Sequence, residues 1–211
     1  MKRLFLTIFL LMMLFTTISA QYFVIDTLKL NKAYNELLGD KQSIEKQKEY
    51  FSAFPHNWAE FYDTYKYCCN EGYDLSMYNR AYEHIKALGD CKAINDTIFC
   101  NKLIKLSVGA TLDADAPNYL QHLLHNTMKG NNDTFMHCLS MIDKGHQMQF
   151  WQFYWSSIID GSNLQGEFNE LYNKNKKKYP TMMKAMSTAF EYFNNGVLFM
   201  GDFKNSIIGV R

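Results

Sequence analysis

Apolar side chains recur three and four positions apart along nearly the whole of this chain, and alternation of apolar with polar residues is scarce. No single motif constrains the fold as much. The pattern predicts an all-α protein: a single-domain antiparallel helical bundle, or stacked helix pairs, joined by short loops. Prolines occur only at positions 55, 117 and 180, and no Gly/Ser-rich or Pro-rich linker divides the chain.

Individual helices can be placed from their stripes and stops. Ile25, Leu28, Ala33 and Leu37 predict a helix over 24–38 that Gly39 ends. A second covers 43–53, and Pro55 permits a fresh start with Trp58, Phe61, Tyr62 and Tyr65 along one side. Asp74 or Ser76 is expected to cap one helix running to Gly89, and Asp113 or Asp115 to cap the helix that Pro117 begins. Asn95-Asp96-Thr97 and Asn132-Asp133-Thr134 match glycosylation acceptors but stand where helices begin, so caps are the preferred reading. Residues 167–179 run from acidic to basic, in keeping with a helix dipole. Pro180 opens the last helix, with Met182, Met186, Ala189, Phe190 and Phe193 as its stripe.

The N-terminus carries Lys2 and Arg3, then twelve residues from position 4 to 15 broken only by Thr7, then Ile18-Ser19-Ala20. That run is shorter than the about 20 residues needed to span hydrocarbon. It reads as a signal peptide over 1–20, cut after Ala20, leaving 21–211 as one helical domain in the periplasm or outside the cell. With no cysteine beside the cut, no lipid anchor is expected. Without the leader the chain has 20 basic and 21 acidic side chains, which disfavours nucleic acid and anionic lipid as partners.

Export would place Cys68, Cys69, Cys91, Cys100 and Cys138 in an oxidising compartment. Cys138 falls on a buried stripe with Phe135, Leu139 and Ile142 and is expected to stay free. A bridge from Cys68 or Cys69 to Cys91 or Cys100 would staple the helix between them, giving one or two disulfides in all; the connectivity is not readable. There is no Cys-x-x-Cys in a strand-helix context, so redox catalysis is not expected.

In the helix after Pro117, Tyr119, Leu120, Leu123, Leu124, Thr127 and Met128 form one side and His122 and His125 the other. A metal shared by the two histidines would need a third ligand, with His84, His137 and His146 the candidates, but a solvated polar face is the simpler expectation. Residues 148–159, MQFWQFYWSSII, carry aromatics on all sides. Burial as a central helix is the first reading; a partner surface anchored by Trp151, Tyr154 and Trp155 is the second.

Catalytic signatures are missing. There is no Gly-x-Ser-x-Gly, Asp160-Gly161-Ser162 reads as a turn, and no Gly-rich phosphate loop precedes a helix. Asp113-Ala114-Asp115 opens like a calcium loop but lacks the glycine and glutamate that must follow. Glu60 with Asp63 and Glu45 with Glu49 share helix faces as ordinary surface pairs. No cofactor and no catalytic residue is assigned.

Two stretches, FPHNWAEFYDTY at 54–65 and LIKLSVGATLDADAPNYLQHLL at 103–124, resemble segments of small exported bacterial all-helical proteins of uncharacterised function. The resemblance implies a helical fold and export and transfers no site residue. In general character the chain is similar to helical, disulfide-stapled periplasmic immunity proteins. The expected function is therefore that of a non-enzymatic interaction protein with a protein partner, such as an inhibitor of a toxic or hydrolytic envelope enzyme. A scaffold or adaptor of an envelope assembly and an unrecognised hydrolase are the alternatives.

Overall fold

A computed structural model describes residues 25–68, 74–112, 114–156 and 163–196. The leader, Cys69, Asp113 and the turn at 160–162 lie outside the described residues. Within them the protein is all-α, with eleven helices and no strand. They are α1 (Thr27–Gly39), α2 (Ile44–Ala53), α3 (Trp58–Tyr65), α4 (Ser76–Asn79), α5 (Ala81–Gly89), α6 (Asp96–Ser107), α7 (Asp115–Gly130), α8 (Asn132–Ser140), α9 (Lys144–Trp155), α10 (Leu164–Asn175) and α11 (Pro180–Asn194). No described helix is long and apolar enough to cross a membrane.

Most helix starts follow from local capping chemistry. Asp26, Ser43, Asn57, Asn95, Asp143 and Asn163 each accept a backbone N–H of the first turn that would otherwise lack a partner. At Asn57 the cap is reciprocal: Glu60 N–H donates to Asn57 Oδ1 at 3.0 Å, and the Glu60 carboxylate accepts from His56 N–H at 2.8 Å.

Two expected caps fall differently and one expected helix is split, although Asp74 does accept from the Ser76 N–H at its start, at 2.8 Å. The helix before Gly89 is broken into α4 and α5 at Arg80, whose guanidinium is drawn to Asn31 Oδ1 at 2.6 Å and lies over the Tyr34 ring. Asp115 begins α7 without capping it and instead accepts from the Tyr78 hydroxyl at 2.8 Å. Asn132 is the first helical residue of α8, with its side chain buried against Asn175, which donates to it at 3.3 Å. Asn95 keeps the capping role expected of it.

The core is built from the consecutive pair α1 on α2 and from the alternate pairs α5 on α7, α6 on α8 and, most extensively, α9 on α11. Helix α9 is central, and Phe150, Trp151, Phe153, Tyr154 and Trp155 are all at most 1% exposed. Trp155 meets Phe190 of α11 edge-on at 4.9 Å, and Phe190 stacks on Phe168 of α10 at 4.4 Å. Trp151, Tyr154 and Trp155 therefore serve as core and offer no surface anchor, while α9 turns Lys144, His146 and Gln149 to solvent. On α1 the stripe is shifted: Leu30 and Tyr34 are buried, while Leu28 is 81% exposed.

Candidate functional site

A groove of about 720 Å³ opens between α5, the α5–α6 connection and α7. Its rim carries Tyr82 and Tyr119, whose rings meet edge-to-face at 5.2 Å, with Tyr82 56% exposed. Lys86 and Asp90 pair at 2.8 Å along one wall, and His122 and Asn126 line the other. Gly89 sits where α5 meets α7, and a Cβ there would lie 2.8 Å from Leu123 Cδ1. The groove thus combines exposed aromatic surface with paired charges and amide groups.

Its floor holds Cys91 and Cys100 as thiols. Burial first, then nearby negative charge, pushes Cys91 up to about 11; burial and then Cys138 push Cys100 up to about 12. Protonated thiols are poor nucleophiles, so the groove is suited to binding rather than covalent chemistry. In the reduced folded protein, Ellman's reagent should label half-exposed Cys68 first and Cys91, Cys100 and Cys138 only when the core opens. Peptide mapping of the labelled protein checks this; rapid labelling of Cys100 would contradict it.

The two histidines of α7 do not converge. His122 is exposed on the groove, whereas His125 is buried on another side of the helix with both ring nitrogens engaged. Its Nδ1 lies 2.9 Å from Glu167 Oε1 and its Nε2 3.0 Å from the Tyr154 carbonyl oxygen. Both ring nitrogens thus face oxygen atoms, a carboxylate on one side and a backbone carbonyl on the other. The Tyr154 hydroxyl donates to the same Glu167 oxygen, the Tyr154 ring stacks on His125 at 4.0 Å, and Lys129 stands 3.7 Å from the other carboxylate oxygen. Burial of Glu167 acts to raise its carboxyl, but the hydrogen bonds from His125 and Tyr154, then the neighbouring positive charges, outweigh it and hold the group below the ordinary range. This cluster ties α7, α9 and α10 together.

The expected solvated polar face of α7 therefore holds for His122 and fails for His125. The buried face runs through Pro117, Leu120, Gln121, Leu124, His125 and Met128, turned by roughly 80° at 100° per residue from the predicted face, which joins Tyr119, Leu123 and Thr127 to Leu120, Leu124 and Met128. Gln121 is buried because its amide donates to the Phe153 carbonyl oxygen at 2.6 Å. None of the proposed third metal ligands joins His122: His84 is buried elsewhere, His137 is exposed, and His146 pairs with Asp143. Among the described residues no group of three His, Cys, Asp or Glu side chains is placed to hold a metal ion.

Two further titratable groups are buried without any local signal for it, Lys102 and the candidate metal ligand His84. Lys102 of α6 donates to the carbonyl oxygens of Phe51 and Phe54 at 2.5 and 2.7 Å, supplying partners for the open C-terminus of α2. Burial pulls its amine down to about 7, against the pull of Glu60. His84 of α5 is enclosed by Tyr34, Tyr50 and Tyr65, and its Nδ1 lies 3.1 Å from the Tyr65 hydroxyl. Burial, then Arg80, lowers His84 to about 4, so it is neutral near pH 7 and accepts from Tyr65.

The surface carboxylate pairs are engaged structurally: Glu60 in its cap and Asp63 with Lys66 at 2.9 Å, while Glu45 and Glu49 are exposed. No protein-family model, curated protein or solved structure matches the chain.

Proposed function

We propose that this is an exported, non-enzymatic interaction protein that seats part of a protein partner in the groove between α5 and α7. The closest functional type is an immunity-like inhibitor of a toxic or hydrolytic envelope enzyme. The observation that carries this reading is the Tyr82–Tyr119 rim beside a groove of about 720 Å³. Exposed tyrosines supply large rigid contact area with a polar tip, and such residues dominate protein interfaces. The buried Cys91 thiol of the floor and the structural engagement of His125 and Glu167 favour recognition over catalysis. One or two disulfides, formed in an oxidising compartment, belong to the same proposal.

The test is affinity capture from the native envelope, followed by measurement of the captured partner's affinity for variants. Tyr82→Ala and Tyr119→Ala are each expected to weaken binding roughly 10–100-fold, while Leu28→Ala on α1 leaves it unchanged. A partner indifferent to both tyrosines would move the interface off the groove, and an enzymatic activity of the protein alone would end the inhibitor reading.

A further inference from the structure

Cys138 projects from α8 onto α6, where its Sγ lies 3.8 Å from the Thr97 carbonyl oxygen and donates to it. Cys100 stands three residues beyond Thr97, on the same side of α6. Helical side chains lean back over the preceding turn, which for Cys100 is the turn holding the carbonyl that Cys138 touches. Both residues are buried, at 0% and 3% exposure, and the raised proton affinity of Cys100 reflects the neighbouring Cys138 as well as burial.

The pairings expected from sequence have less support. Cys68 follows Tyr67, whose ring packs on Tyr78 ahead of α5, whereas Cys91 follows the far end of α5. Nine helical residues span about 13 Å, and a bridged pair needs its Cα atoms within about 7 Å. The Cys91 thiol turns back on its own helix, donating to the Ala87 carbonyl oxygen at 3.3 Å.

We propose that Cys100 and Cys138 are joined by a disulfide in the exported protein, across the contact between α6 and α8. The proposal rests on the export reading for its oxidising compartment. It reverses the expectation that Cys138 stays free. The oxidant is a small-molecule disulfide such as oxidised glutathione. One protein thiolate attacks it, forming a mixed disulfide and releasing one glutathione thiolate; the second protein thiolate then attacks the mixed disulfide and releases the other. Two protons leave the protein thiols, and their two electrons end on the two glutathione molecules. Because both thiols are buried and protonated once the helices dock, the exchange belongs to folding and precedes closure of the core.

The experiment is refolding of the full chain from denaturant in a buffer of oxidised and reduced glutathione, followed by peptide mapping without reduction. The expected product is lighter by about 2 Da, with a linked peptide pair containing Cys100 and Cys138. The link should persist when Cys68, Cys69 and Cys91 are all changed to Ser and vanish in Cys138→Ser. Five free thiols, a lasting glutathione adduct on Cys100 or Cys138, or a link from either to another cysteine would overturn the pairing. A refolded protein that carries the link, beside a natively produced one that keeps Met1 and reduced thiols, would instead refute export and the native bridge together.

Discussion

Replacing Glu167 with leucine is expected to lower the stability of the protein by about 2–6 kcal/mol, since each of two buried groups left without its hydrogen-bond partner costs about 1–3 kcal/mol. The carboxylate side chain is 11% exposed and accepts from both the His125 ring and the Tyr154 hydroxyl. Without it the His125 ring, 5% exposed, loses the partner of its Nδ1, and the Tyr154 hydroxyl loses its acceptor. The double variant His125→Phe with Glu167→Leu should recover much of the loss, since an apolar pair of similar volume needs no compensation and phenylalanine can keep the stacking on Tyr154. Urea unfolding midpoints of the wild type, both single variants and the double variant decide it. A Glu167→Leu protein within 1 kcal/mol of the wild type would mean that the cluster does not hold α7, α9 and α10 together. Protonation acts in the same direction. With its carboxyl held below the usual 4.5, Glu167 contributes stability that is present above that value and is lost as pH falls through the folded one.

The cluster also marks where the sequence ceases to be legible. Helix class, the fresh start after Pro55, the helix starts at Asn95 and Pro180, and burial of the aromatic run in α9 follow from local chemistry and are legible in the sequence. His125 was assigned to solvent because it is polar, yet Pro117, Gln121 and His125 continue one face at intervals of four, as Leu124 and Met128 do. That face is buried because Glu167 and the Tyr154 carbonyl, 42 and 29 residues away, supply partners. Lys102 was hidden for the same reason: its acceptors are the last carbonyls of another helix. Propensity and periodicity describe one helix at a time, and a polar residue enters the core only when a second helix brings its partner. The groove is likewise a product of packing between helices, and only the Gly89 contact with Leu123 hints at the close approach beneath it.

Acidification from pH 7 to pH 5 should destabilise the protein by roughly 2 kcal/mol through His84 alone, rising to about 3 kcal/mol below pH 4. The residue is fully buried among Tyr34, Tyr50 and Tyr65, and burial, followed by the positive charge of Arg80, holds it at about 4 against 6.5 in an unfolded chain. Between those values the unfolded chain binds a proton that the folded protein refuses, so stability falls as pH drops through the window and levels off below it. No acidic group offsets the cost: the Tyr65 hydroxyl accompanies Nδ1, and Nε2 has no hydrogen-bond partner. Glu167 adds little between pH 7 and 5, because its loss is centred between the usual carboxylate value of 4.5 and the lower folded one. His84→Leu should be less stable than the wild type at pH 7, where Tyr65 loses its acceptor, but show a shallower fall between pH 7 and 5. Parallel stability curves for the two proteins would place the acid sensitivity elsewhere and show that the tyrosine cage admits a protonated ring.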